Sequence, residues 1–215
     1  MRRLSQVSAG AVAGMVGPVA FTAAWVVGSL RQAGRSFTAV QISGLAAENA
    51  RDPEIMIAGF VVLGGCSVVF GEALHRALGG WPRAGLGPRL IQAAGVLAVA
   101  AGLLRRDHMM LTATAGESWH NHAHDVVSVV IYVALVAAPL LLAVRFRGDP
   151  GWRGLPVPLL AGSAVTAVLL GVFVSGALAA SDAVLQRIAI TLPLALLTAV
   201  AVRLKKPLQL MPEGA

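Results

Sequence analysis

Apolar residues in this chain come in long uninterrupted blocks, separated by short segments rich in Arg, Gly, Pro, Asp and His. The blocks lack the period-two alternation of half-buried strands and the narrow apolar stripe of a helix on a soluble core. A bilayer core about 30 Å thick needs roughly 20 apolar helical residues per crossing. Six segments meet or approach that requirement: 7–30, 55–74, 86–104, 122–144 (its apolar run starting at Val126), 155–180 and 184–202. The third is the weakest, because Gly87, Pro88 and Arg89 shorten its apolar run. The pattern predicts an all-α integral membrane bundle of six transmembrane helices, forming one domain over residues 1–215.

The polar punctuation marks helix ends. Asp52-Pro53-Glu54 reads as N-cap, first-turn Pro and a dipole-favoured acid opening the second helix. Gly148-Asp149-Pro150-Gly151 reads as a turn, and Ser181-Asp182 as the cap of the sixth helix. Gly10 and Gly14 form a small-xxx-small pair suited to close helix approach in lipid. Arg2-Arg3 before an apolar run resembles the start of a signal peptide. The run exceeds a usual signal core and no small-residue cleavage site closes it, so a retained first helix is expected.

Composition agrees. The chain is 57% hydrophobic and only 13% charged, with mean hydropathy +0.76. Soluble domains run nearer 45–50% apolar and about 25% charged. The net charge of +7 and pI near 11.2 would point toward nucleic acid in a soluble protein. No basic run with interleaved aromatics is present, so a nucleic-acid partner is not expected; the partners expected are the lipid bilayer and a lipophilic small molecule. The single Cys66 excludes an internal disulfide and any multi-thiolate zinc site.

Split by loop, the charge predicts topology. With six crossings, one side holds Arg2, Arg3, Arg76, Arg83, Arg89, Arg145, Arg147, Arg153, Arg203, Lys205 and Lys206. The other holds Arg31, Arg35, Arg51, Arg105, Arg106 and Arg187. Eleven basic residues against six place both termini in the cytoplasm of a multi-pass cell-membrane protein. With Glu72, Asp149 and Glu213 the inner face carries +8, and with the other seven acids the outer face carries −1. His108, His120, His122 and His124 also fall outside, so the candidate chemistry faces outward.

The densest polar group is 117–125, Glu117 to Asp125, leading into the fourth helix. His120 and His124 lie one turn apart on one face, Ser128 continues that stripe, and Asp125 turns toward a neighbouring helix. Asp107-His108 closes the third helix one loop earlier. Two His residues at i and i+4 with Asp107 would suit Zn²⁺. Asn121 stands where a metalloprotease motif has Glu. Metal-free acid–base chemistry and a purely structural hydrogen-bonded network are the alternatives, and all three stay open. The connection 31–54 is the longest. Within it, 41–48 is a candidate interfacial helix that, as a lid, would bring Ser43 and Glu48 to the His cluster; composition alone favours a plain surface loop.

Other polar positions have simpler readings. Glu72 is expected to pair with Arg76, and Cys66 to be a small packing residue. Trp119 and Trp152 read as interfacial anchors. Arg105 and Arg106 are expected either to pair with Asp107 or to hold a lipid phosphate.

Several short motifs recur in order along the chain: Gly17-Pro18 with Phe21, Gln41-Ile42-Ser43-Gly44-Leu45, Gly59-Phe60, Gly102-Leu103-Leu104 with Asp107, His120 with His124-Asp125, and Gln186-Arg187. In that order and spacing they resemble the multi-span bacterial and archaeal membrane family catalogued as domain of unknown function 998, over most of the chain. Gly44 departs from it, since an acid usually follows the Ser there. The resemblance implies fold and topology more than an activity, and marks Ser43, Asp107, His120 and His124 as positions within polar motifs. A looser similarity links the chain to alkaline ceramidases and adiponectin receptors, where Ser, Asp and an H-x-x-x-H pair hold zinc. Those have seven helices with the pair late in the chain; here it opens the fourth helix.

Together these readings predict a membrane enzyme acting on a lipid, isoprenoid or other lipophilic substrate. Its catalytic residues would be Asp107, His120, His124 and Asp125, with Zn²⁺ on His120, His124 and Asp107 in the metal form. Ser43, Glu48, Arg106, Trp119, Ser128, Gln186 and Arg187 would contact substrate. The alternative is a non-enzymatic binding or transport protein, or an accessory subunit of a membrane complex. The middles of the spans are nearly free of ionisable residues, which argues against an ion-coupled carrier.

Overall fold

The computed structural model describes residues 2–80, 82–110 and 117–209, with side chains from Ser5 to Lys206. Arg2, Arg3 and Glu213, used above in the charge balance, lie outside the described side chains. Six α-helices follow one another: α1 (Arg2–Arg31), α2 (Glu54–Ala77), α3 (Gly87–Leu103), α4 (Trp119–Phe146), α5 (Pro156–Ser175) and α6 (Asp182–Gln209). Short 3₁₀ turns lie at Ser43–Ala46, Pro150–Trp152 and Ala179–Ser181, and no strand occurs among the described residues. Five helices are long and apolar enough to cross a membrane; α3, at 17 residues, is shorter. At 1.5 Å per residue it extends only about 26 Å.

Helix ends depart from the expected ones for local reasons. α4 starts at Trp119 because Ser118 caps it, its hydroxyl accepting the Asn121 N–H at 3.3 Å. α5 stops at Ser175 rather than near 180, because Gly176 turns left-handed at φ 66°. Asp52 does not cap α2: it has φ 52°, pairs with Arg31 at 2.6 Å, and leaves Pro53 as the N-cap. The Asp149 turn forms as expected, its carboxylate accepting the Gly151 N–H at 2.9 Å.

Each helix packs on its sequence neighbour, α6 returns to α1, and α4 touches α6, so the six form a closed ring. Small residues set the approach. A methyl on Gly10 would overlap Ala73, and one on Gly14 would overlap Phe70 and Ala201. Gly64 and Gly95 face each other across α2 and α3, each against the other's carbonyl oxygen. Cys66 packs against Gly17, as expected. Glu72 meets Arg76 at 2.7 Å and also Arg89 at 3.2 Å, tying α2 to α3.

The outer surface carries Val19, Val96, Leu103, Val126, Val133, Val157 and Val168, all exposed. Buried apolar residues form two clusters, one at each end of the ring. One contains Phe70, Leu142, Phe146 and Trp152. Trp152 is therefore not an interfacial anchor but a buried ring stacked on Phe146 at 4.1 Å. The second contains Phe21, Met56, Phe60 and Leu135, together with Val40, Ile42 and Leu45 from the long connection. Segment 40–47 is buried throughout, so the surface-loop expectation is overturned. Burying an aliphatic side chain contributes roughly 1.5–3 kcal/mol, and here three of them plug one end of the ring.

Candidate functional site

The α3–α4 junction is built around Asp107. Its carboxylate accepts the Ser118 hydroxyl at 2.6 Å and the Ser118 N–H at 2.8 Å, and its own N–H donates to Asn121 Oδ1 at 3.3 Å. The Ser118 hydroxyl, and then its amide, hold the Asp107 carboxyl below the usual carboxylate range. His120 Nδ1 lies 2.8 Å from the Arg105 carbonyl oxygen. A carbonyl only accepts, so this nitrogen carries the proton. Asp107 Oδ1 is 3.6 Å from the same nitrogen, beyond hydrogen-bonding distance.

One turn further, His124 is 2% exposed. Its Nδ1 lies 2.9 Å from the Ala101 oxygen and 2.8 Å from the Leu104 oxygen, so its proton is shared between two carbonyls that end α3. In the neutral ring that leaves the lone pair on Nε2, which is buried without a hydrogen-bond partner among the described residues. Arg106 lies beside it, buried, with Nη2 3.9 Å from Asp125 Oδ1 and Nε unpartnered among the described residues. Arg105 instead donates to the Ala46 and Ala47 oxygens at 3.2 and 3.1 Å.

From α6, two buried side chains hold the plug. Gln186 accepts the Ile42 N–H at 2.7 Å and donates to the Tyr132 hydroxyl at 2.9 Å. Arg187 donates to Phe37 O, Val40 O, Ser29 Oγ and Ala183 O at 2.8–3.0 Å. Its guanidinium also lies 5.3 and 5.5 Å from the Trp25 and Phe37 ring centres.

Between these elements lies a cleft of about 320 Å³, lined by Gln41, Ser43, Arg106, His124, Asp125, Ser128, Tyr132, Asp182 and Gln186 among others. A narrower apolar cavity of about 70 Å³ sits deeper in the ring, walled by residues including Phe21, Phe60, Ala94, Ala98, Leu135 and Leu194. Ser43, Ser128, Tyr132 and Gln186 line both. Polar groups thus gather at the mouth and apolar ones beneath it.

The model for the family described as "Protein of unknown function (DUF998)" matches residues 15–203. The chain belongs to the DUF998 family. No curated protein and no solved structure matches it.

In this DUF998 chain the match spans every candidate site residue, yet the structure gathers only some of them. His124, Asp125, Ser43, Arg106, Ser128 and Gln186 share the cleft. Asp107 and His120 serve the α3–α4 junction instead, bonded to Ser118 and to the Arg105 carbonyl. The expected zinc set of His120, His124 and Asp107 does not assemble, and no group of three His, Cys, Asp or Glu among the described residues is placed to hold a metal ion. Both carboxylate oxygens of Asp107 are engaged by Ser118, while His124 lines the cleft. Glu48 is exposed, and its amide donates to Arg106 O at 2.9 Å. Trp119 is 75% exposed, its ring edge-on to His120. Arg187 holds the plug from behind. Three polar cleft residues were not among the expected site residues: Gln41, Tyr132 and Asp182. Tyr132 had a visible signal, being the chain's only Tyr and standing on the His124–Ser128 stripe at i+4 spacing.

Proposed function

We propose that this DUF998 protein crosses the cell membrane six times, with both termini cytoplasmic. Its outward cleft takes a lipophilic molecule whose polar end undergoes acid–base chemistry at His124. The observation that carries this reading is the junction of polar cleft and apolar cavity through Ser43, Ser128, Tyr132 and Gln186. A molecule seated there places its apolar part among Phe60, Ala98 and Leu135 and its head beside Arg106 and His124. A neutral imidazole whose Nδ1 is anchored on two carbonyls presents Nε2 as a proton acceptor of fixed direction. The excess of basic residues at the terminal end supports the orientation. The short α3 fits a locally thinned bilayer.

Native mass spectrometry of protein extracted in mild detergent tests the binding. Wild type is expected to retain a lipophilic molecule, and Ala94→Leu, whose side chain enters the cavity, to retain much less. Equal retention by both would overturn the reading. If His124→Gln binds the molecule and wild type alone converts it, His124 is the catalytic base. A second reading, binding without conversion, is favoured by the role of His124 in ending α3; recovery of the same unaltered molecule from both proteins would establish it. For topology, His122→Cys in a Cys66→Ala background should react with an impermeant maleimide on intact cells. Arg147→Cys should react only after permeabilisation.

A further inference from the structure

The cleft holds three buried polar atoms with no hydrogen-bond partner among the described residues: Arg106 Nε, His124 Nε2 and Asp182 Oδ1. Arg106 is the sharpest case. Its side chain is 9% exposed, and Asp125, at 3.9 Å, is half exposed and too distant for a hydrogen bond. A guanidinium offers five N–H donors and no acceptor, and burying one without a partner is expensive. Those donors match an oxyanion.

The signs around it narrow the ligand. Arg106, Asp125 and Asp182 give the cleft a formal charge of −1 with His124 neutral. A simple anion would bring it to −2 and face both carboxylates. A simple cation would leave the Arg106 donors unused. A zwitterion leaves the net charge unchanged and matches both signs. His124 Nε2 and Asp182 Oδ1 are both acceptors in need of a donor, so the cationic end must carry N–H groups; a quaternary ammonium has none. We infer that the cleft binds a zwitterionic amphiphile with an oxyanion on Arg106 and a primary ammonium on Asp182 and His124. Asp125 remains as the solvent-screened counter-charge. This rests on the reading of cleft and cavity as one lipophile site.

The test is binding of short-chain lipids to the purified full chain in detergent, followed by native mass spectrometry. The probes are phosphatidylethanolamine, phosphatidylcholine, phosphatidylglycerol, neutral diacylglycerol and soluble phosphoethanolamine. Phosphatidylethanolamine should bind about tenfold or more tighter than the other two phospholipids, the scale of one charge-assisted contact. Arg106→Gln should weaken all three phospholipids, which share the phosphate, whereas Asp182→Asn should remove the phosphatidylethanolamine advantage. Both should leave diacylglycerol binding unchanged. Thermal unfolding identifies folded variants. If Arg106→Gln fails to fold, the half-buried Asp182→Asn and the charge-conserving Arg106→Lys carry the comparison, with weaker phosphatidylethanolamine binding expected in both. Equal or tighter binding of phosphatidylglycerol or phosphatidylcholine would overturn the inference, as would unchanged affinity in the folded variants. Diacylglycerol binding as well as phosphatidylethanolamine would overturn it while leaving the lipophile site intact; binding of no lipid would overturn both. Soluble phosphoethanolamine binding as tightly as the lipid would make the ligand a free head group and refute the amphiphile.

Discussion

Replacing Gln186 with Leu should release the plug over the cleft while leaving the ring closed. Gln186 is 1% exposed and is bonded to two elements at once, through Ile42 N–H at 2.7 Å and the Tyr132 hydroxyl at 2.9 Å. Leu fills similar space but offers no polar atom. The Ile42 amide is buried in the second apolar cluster, and stranding a buried donor costs about 1–3 kcal/mol. The lost bond to Tyr132 adds about 0.5–1.5 kcal/mol. The expected destabilisation is therefore roughly 2–4 kcal/mol. Because Arg187 still holds Phe37 O and Val40 O, the loss should be local. Amide exchange at Ile42 should rise by about 30-fold for 2 kcal/mol, with little change in α1 and α2. Tyr132→Phe should cost only the smaller share, and Gln186→Glu should retain the acceptor for Ile42. Hydrogen exchange and thermal unfolding in detergent read both effects. A Gln186→Leu protein within about 0.5 kcal/mol of wild type, with Ile42 exchange unchanged, would refute the reasoning.

Other expectations follow from single contacts. Arg187→Met removes the donor for four acceptors and should destabilise by about 3 kcal/mol or more in detergent unfolding. Arg187→Lys should recover only part of that, since an ammonium lacks the planar fork. Gly95→Ala should lower the unfolding temperature through a cost of about 1–3 kcal/mol, because the added methyl meets the Gly64 carbonyl. Gly65→Ala, whose methyl meets nothing within 4 Å, should be neutral or stabilising. Asp107 has a carboxyl held below its ordinary 3.8 in the folded protein. Its contribution is present above pH 3.8 and is lost as pH falls through the lower folded value. Asp107→Asn should therefore weaken the α3–α4 junction at neutral pH and flatten its acid sensitivity below pH 4, read by exchange at the Ser118 amide.

Much of the architecture was legible in order and composition. Apolar runs located six helices, and Gly10, Gly14 and the Glu72 pairing behaved as their spacing suggested. The site was legible only in part. His124, Ser128 and Asp125 follow from helical periodicity, and Tyr132 lay on the same stripe. Spacing put His120 and His124 on one helix face but could not show that Ser118 engages both oxygens of Asp107. Glu48 was expected at the site through a lid over 41–48 and Trp119 through its place beside His120, yet both are exposed and neither lines the cleft.

The chain's own pattern determined that it is helical, that five of its helices are long and apolar enough to cross a membrane, and that most of its His and acidic residues fall in alternate connections. Those properties depend on how many apolar residues stand in a row, which is a local quantity. The burial of 40–47 was settled only by the tertiary structure. Its Ile42 amide finds Gln186, and the Val40 carbonyl and that of Phe37 just before the segment find Arg187, partners some 150 positions away. Composition reads such a segment as a surface loop because its backbone groups lack local partners. Folding supplies those partners from α6, and with them a closed end, a polar cleft and the apolar cavity beneath it.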